Sequence, residues 1–507
     1  MRVDIVHPLR PGDGVAAVSP VRRREQEQAP PPAARRRTPE SGERVVVGGG
    51  IAALVAADAI AATDRPVRLL LPARGVGGGF AAIRRDGHVL ELGVRLLELE
   101  FDDPTDPPPP LTEYRPDVGG HRRWAATVDR WVRDLVGDDA LREIRPPRMI
   151  VDGRDVPDIL FTVDLDGIAA VLPDPLRRRM LDEARAALAG AGDDAGVLAA
   201  RHARRLGRMT LADASVANHG PTFHARYVAA LCDKVLAGGA DAVAATLRRR
   251  AWAPLFHPRT LVQALAGEPV GFRPRRPLLT VAPDGCGGIV DRLLERLRAR
   301  PTVRLDAVGE LREITATDDG RVAMRFDAGP RVVARRPLVA CSATALMAAA
   351  GIDLDPPRVR TVVSWLDGPA EDLAAVPDLV HVLDPANPVL RVSRGGRAAD
   401  PARSLLTVEL RHDVPAERVA ADAVAGLRAA RLVGEDAARA LRPVLAAARP
   451  SFPVPSPDLL PAFAAARERL DALGLDVELA AGALSPVADT LNDQVVQGLR
   501  AAERSHA

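Results

Sequence analysis

The chain has 507 residues, enough for two to four domains. Its 47% hydrophobic and 27% charged content is that of a globular protein, and no apolar run approaches the roughly 18 residues of a membrane span. The net charge is only +2, and beyond residue 43 basic and acidic residues balance, so there is no electrostatic case for nucleic acid or an anionic membrane as partner.

Residues 1–43 carry eight arginines and six acids in a polar, proline-rich stretch without apolar periodicity. Such a stretch is expected to be a disordered leader rather than a signal peptide, which fits a cytoplasmic protein. Next, "RVVVGGGIAALVAADAIAATDRPVRLLL" reads as strand, glycine turn, helix, strand: a βαβ start. The prolines 107–110 interrupt the chain. Beyond them the spacing predicts helices near 121–136, 174–190, 195–206 and 222–237, and a hairpin in "RMIVDGRDVPDILFTVDL". Alternating strands with DDG and AGP turns follow between residues 302 and 343. The last segment, "LNDQVVQGLRAAERS", is a helix with Leu491, Val495, Val496 and Leu499 at helical spacing.

Gly48-x-Gly50-x-x-Ala53 follows the first strand and opens the first helix. The first glycine permits a tight turn, the second lets a pyrophosphate approach the backbone, and the third position must be small for the helix to pack on the strand. The helix N-terminus offers N–H groups and partial positive charge to phosphate. Dinucleotide binding is the expectation; a ligand-free glycine turn is the alternative.

Val76-Gly77-Gly78-Gly79 and "DGHVLELGVRLL" come next. Here the chain resembles the flavoprotein family of amine oxidases, protoporphyrinogen oxidases and phytoene-type desaturases, and more distantly UDP-galactopyranose mutases. Its signature places two glycines and a "dGf.fdlGa" turn along the flavin; Gly77, Gly78, Asp86, Gly87, Glu91, Leu92 and Gly93 match, with Arg95 placed for a polar contact. The resemblance continues in "PDGCGGIVDRLLERLRARPTVRLDAVGELREI", where it implies that the Val308 backbone meets the adenine edge. It continues again in "RRPLVACSATAL" and "ALSPVADTLNDQVVQGLRAAE". In that closing motif Gly482, Leu491 and Asn492 belong to the flavin site, with the helix N-terminus toward the pyrimidine end. Three positions depart from the pattern: the ribose acid expected at Leu71 or Pro72 is absent, Ala483 stands where Asp usually follows Gly482, and Gly79 replaces an Arg. Glu91 or Asp489 are the acids at hand to replace them.

Lys234 is the only lysine beside 68 arginines. Its point charge and adjustable pKa suit catalysis, and some relatives place a lysine near flavin N5; the alternative is an ordinary helix position. His121, His224 and His257 read as structural, and "HPR" with Arg259 as a possible anion contact. The three cysteines have no metal spacing, and no metal site is expected. Aromatic content is 3%, and no aromatic lies in "LDALGLDVELAAGALSPVADTLND", where one wall of an amine cage belongs; this counts against an amine substrate.

The fold class expected is α/β. A flavoprotein-like FAD/NAD(P)-binding domain with a Rossmann-type parallel sheet comes from residues 44–100, 275–345 and 475–507. A discontinuous mixed α+β substrate domain comes from 101–274 and 346–474. The resemblance implies an FAD-dependent oxidoreductase taking a hydride from a small metabolite, by desaturation or oxidation. Two alternatives stand beside it: a sugar-nucleotide mutase-like flavoenzyme, and a relative that has lost FAD and acts as a non-catalytic partner.

Overall fold

A computed structural model describes residues 5–6, 42–73, 75–93, 96–99, 110–114, 124–162, 164–191, 206–270, 278–487 and 489–506. The chain divides into two compact units. One is drawn from residues 8–79, 290–355 and 463–507, the other from 1–7, 80–289 and 356–462.

The first unit is built on a five-stranded parallel sheet. Its order is Val303–Ala307, Val67–Leu71, Arg44–Val47, Leu338–Val339, Glu478–Leu479. In chain order that is 3-2-1-4-5, so the strand order reverses beside Arg44–Val47, at the switch point where doubly wound sheets bind ligands. The runs Val45-Val46-Val47 and Leu69-Leu70-Leu71 are buried on both faces, as a covered parallel sheet requires. An antiparallel sheet of Leu311–Ala316, Val322–Phe326 and Val332–Ala334 adds Ile314, Val322, Met324 and Val332 to the core that holds Val45, Val47 and Val339. Helices Ile51–Ala61 and Leu491–His506 cross at Gly498, where a Cβ would stand 2.7 Å from the Ala52 carbonyl oxygen and from Val55. Half-buried Arg44 pairs with buried Glu478 at 2.5 Å, and Arg300 pairs with Asp58 at 2.9 Å.

The second unit carries an eight-stranded mixed sheet. Its order is Ile5–Val6, Arg442–Pro453, Arg358–Pro369, Arg403–Leu410, Val389–Ser393, Leu379–Val382, Arg148–Val151, Arg154–Pro157. One face (Val362, Leu366, Val380, Val392, Val408) packs with Val419, Ala423 and Leu427 of the helix Val419–Ala429. Helices Asp174–Ala191, Leu211–His219 and Pro258–Ala266 share a second core around Met180, Phe223, Leu231 and Leu261. The expected hairpin is Arg148–Val151 with Arg154–Pro157, turned by Asp152 (φ +51°) and Gly153 (φ +66°), the two positive φ values of a two-residue loop of this hand.

Two expectations shift. The leader was read as contributing no element, yet Ile5–Val6 pairs parallel with Ala446–Ala447 at the sheet edge; a two-residue pairing made by backbone leaves no periodicity to read. Residues 7–41 lie outside the described residues, as does most of the helix expected at 195–206. The first break comes near residue 79 rather than 100. The hairpin Ala82–Arg85/His88–Glu91 belongs to the second unit, where Leu90 packs with Val363, Trp365 and Leu405, and Trp365 Nε1 donates to the Glu91 carbonyl at 2.7 Å.

Candidate functional site

In the parallel-sheet unit two glycine turns meet. Gly48 ends its strand at φ +131°, and a Cβ there would stand 2.5 Å from the Ala340 carbonyl oxygen across the switch point. Only glycine fits. Gly50 caps the helix Ile51–Ala61 in extended conformation (φ −75°, ψ 168°). Gly77 N–H donates to the Gly49 carbonyl at 2.6 Å, and a Gly78 Cβ would lie 3.8 Å from Gly50 Cα. Ala53 is fully buried behind them, small enough for the helix to sit on the sheet. Above Gly50, a Cβ would meet only the Gln494 side-chain oxygen, at 3.4 Å. The first N–H groups of a helix have no intrahelical acceptor, so this turn presents donors and a positive dipole end to an open approach. Geometry and charge both suit a diphosphate.

The adenosine end of the same sheet is built differently. Leu71, where the ribose acid is expected, is buried, and Pro72 packs on the glycine turn, 2.8 Å from a Gly49 Cβ. Val308 gives its N–H to the Leu71 carbonyl at 3.0 Å, and its own carbonyl accepts from Ala328 at 2.9 Å. The expected backbone contact to adenine therefore loses its donor at Val308. Ala483 lies fully buried in the apolar cluster of Val47, Val339 and Leu346, with its N–H on the Cys341 carbonyl. A Cβ on Gly482 would stand 3.1 Å from Ser342 Cα, where the helix Ala343–Ala349 begins. A carboxylate at position 483 would point into the core, not toward a ligand.

At the closing helix, Leu491 and Asn492 are buried. Thr490 Oγ1 accepts from Asp493 N–H at 3.1 Å and donates to the Asp493 carboxylate at 2.7 Å, so this N-terminus is capped by its own side chains. Gln497 accepts from Ala481 N–H, holding the φ +53° turn before Gly482. Gln497 and Gly498 escaped sequence reading; the "QGLRAA" spacing was the available signal.

In the mixed-sheet unit, Gly93 (φ +86°) comes close to Glu409, whose Oε1 a Cβ would approach to 2.9 Å; Arg95 lies outside the described residues. Glu91 accepts from Cys286 N–H at 2.7 Å and is buried, so it holds a turn rather than waiting for a ribose. Lys234 does not face solvent. It is buried, and its Nζ donates to the Val382 and Val389 carbonyls at 2.7 and 2.8 Å. Burial lowers its pKa to about 7. Two carbonyls converging on one point explain why arginine does not serve here. His257 caps the helix Pro258–Ala266, accepting from Arg259 N–H at 3.2 Å; His121 lies outside the described residues.

A polar row crosses the other face of the mixed sheet. His381, Arg391 and Glu409 stand opposite one another on adjacent strands. Arg391 holds Glu409 side-on through two bonds of 2.8 Å. His381 Nδ1 meets Asp158 Oδ2 at 2.7 Å with both residues buried, and Asp158 Oδ1 also accepts from the N–H groups of Leu160 (2.9 Å) and Phe161 (2.6 Å). That carboxylate fixes the imidazole with Nδ1–H toward it. His381 Nε2 is left buried with no hydrogen-bond partner among the described residues. Trp252, at φ +58°, stacks on Phe161 at 5.1 Å, and Arg391 lies 5.6 Å from the Trp252 ring centre. A bulky residue held at positive φ is strained backbone, of the kind that gathers at functional sites. Sequence reading missed this row. Its signal was polar residues at alternate positions of "LVHV", "VLRVS" and "TVEL".

Residues 46–105 match the model of the NAD(P)-binding Rossmann-like domain family. No curated protein matches the chain. Among solved structures, reduced UDP-galactopyranose mutase is similar over 91% of this chain and 95% of its own, at 14% identity and a TM-score of 0.66. Wild-type putrescine oxidase bound to putrescine is similar over 91% and 98%, at 17% identity and a TM-score of 0.55. An oxidoreductase from Methanosarcina mazei is similar over 91% and 100%, at 12% identity and a TM-score of 0.55. The chain has the fold of these proteins, with a Rossmann-like domain at its start. The shared fold runs through both units, since each neighbour is matched over nearly its full length. No helix among the described residues is long and apolar enough to cross a membrane, and they hold no cluster of potential metal ligands.

Proposed function

We propose that this protein is a flavin-dependent oxidoreductase acting on a small metabolite. The observation that carries the reading is the open glycine cradle at the switch point. Gly48, Gly50, Ala53, Gly77 and Gly78 would hold the diphosphate of FAD through backbone and helix dipole. When bound, FAD supplies the two-electron acceptor for a hydride leaving the substrate. The protein's own contribution is positioning and proton handling. In the mixed-sheet unit Asp158 holds His381 so that Nε2 is the accepting nitrogen, and Arg391 with Trp252 and Phe161 gives a charged and aromatic surface for substrate.

A second reading, that FAD has been lost and the protein is a non-catalytic partner, draws on Val308, Ala483 and Leu71. Their donor and side chains are committed to the protein's own core. One experiment separates the two. The purified chain is examined for flavin absorbance and titrated with FAD, beside Gly50→Asp. That variant suits the fold, because aspartate is a good helix cap at this φ and ψ and only a flexible glutamine lies nearby. Flavin binding in the wild type and its loss in Gly50→Asp is the expected result. A colourless wild type that ignores FAD selects the second reading, and equal binding by both proteins removes the phosphate site.

A further inference from the structure

The mixed-sheet unit contains a small cavity that the flavin reading does not use. It has a volume of about 140 Å³ and lies among the hairpin Arg148–Val151/Arg154–Pro157, the end of the helix Ile168–Val171, and the π-helical turn His224–Ala229. Val156, Val171 and Leu172 form apolar walls, and Arg226 and Tyr227 supply the polar end. Wide π turns are uncommon and recur at functional sites. Here the turn brings two consecutive side chains, Arg226 and Tyr227, to one cavity.

Arg226 has part of its fork engaged, since its guanidinium hydrogen-bonds to the Tyr227 hydroxyl. Its Nη1 pairs with Asp152 Oδ2 at 2.5 Å, at the tip of the hairpin. Its Nε is buried with no hydrogen-bond partner among the described residues. A guanidinium has five donors in a planar fork, a shape that matches a carboxylate. The Tyr227 ring lies beneath the guanidinium, 5.7 Å from it. The Tyr227 hydroxyl accepts from Arg226, and burial raises its pKa, so its own O–H remains to donate. Arg154 also lines the cavity, so two cations face one acid, Asp152. The balance favours one negative charge.

The size of the cavity limits the rest of the ligand. A cavity of about 150 Å³ holds a benzene-sized molecule of about six heavy atoms. A four-carbon carboxylate has that size, and its chain matches the apolar walls. We infer that this cavity is a binding site for a small aliphatic monocarboxylate, its carboxylate on Arg226 and Tyr227 and its tail against Val156, Val171 and Leu172. The site stands on the described geometry of one unit and does not depend on whether the protein binds flavin.

The test is calorimetric titration of the full chain with acetate, butyrate and hexanoate, and with butan-1-ol as the uncharged match. Butyrate is expected to bind at least tenfold more tightly than butan-1-ol and than either other acid. Arg226→Gln should weaken butyrate at least tenfold. Val171→Phe places a ring in the cavity from a half-buried position, leaves Arg226 in place and should abolish binding. If Arg226→Gln does not fold, Val171→Phe alone decides. Absence of binding by all three acids overturns the proposal. So does butyrate binding that is unchanged in Val171→Phe, which would place the acid on surface arginines.

Discussion

The glycine cradle and the polar row solve the problem of building a site in opposite ways. The cradle is made by backbone: Gly48, Gly50, Gly77 and Gly78 matter because they lack side chains, and the groups offered to a ligand are main-chain N–H. The row is made by side chains, and each member depends on a partner from a distant part of the chain. Asp158 reaches His381 across 223 positions, and Arg391 reaches Glu409 from the neighbouring strand. A backbone site survives with few polar side chains around it. A side-chain site fails when one partner changes.

The largest effect that would sharpen this contrast is expected at Ala483. Ala483→Asp, the acid that the resemblance leads one to expect, places a carboxylate among Val47, Val339 and Leu346 and should cost about 3–5 kcal/mol. Denaturant unfolding measures it, and an unchanged midpoint with tighter FAD binding would show that position 483 faces a ligand after all. Next is Gly48→Ala, expected to cost about 3 kcal/mol, since its Cβ meets the Ala340 carbonyl at a φ that alanine avoids. Gly50→Ala should cost about 1 kcal/mol or less. Similar melting losses in the two variants would break the claim that the cradle is tight at one glycine and open at the next.

On the side-chain site, Asp158→Asn should lower stability by roughly 1–3 kcal/mol, because it removes the charge that holds His381 Nδ1 and the two backbone donors. If turnover of any substrate is found, it should fall far more than the fold weakens. Equal losses would make the pair purely structural.

The last effect is read from pH and concerns Lys234. Its unfolded form keeps its proton to about 10.5, while burial lowers the folded value to about 7. Between those values the folded chain binds fewer protons than the unfolded chain. Stability therefore rises with pH across the window, and the cost is complete below its lower end. The slope should be at most about 1.4 kcal/mol per pH unit. Lys234→Met should remove that slope in denaturation series from pH 7 to 9, and an unchanged slope would show that Lys234 stays charged when folded.

What could be read in advance follows the same division. The strand Arg44–Val47, the turn at Gly48 and Gly50, the buried Ala53 and the Asp152-Gly153 hairpin are local events. A tight turn needs glycine or a residue tolerant of positive φ, and a covered parallel strand needs an unbroken apolar run; both requirements are visible in a few consecutive residues. Along with the order of the motifs, they determined the Rossmann-like fold and the position of its glycine turn. The tertiary structure alone decided what the side chains do. Ala483 is a core residue because the fold packs it with Val47, Val339 and Leu346 from distant parts of the chain. Val308 has no donor to offer because Leu71 from another strand takes it. Lys234 is a structural cation because two carbonyls more than 140 positions away converge on it. His381, Arg391 and Glu409 form a row because register places them opposite one another, and register is a relation between strands that no single segment contains.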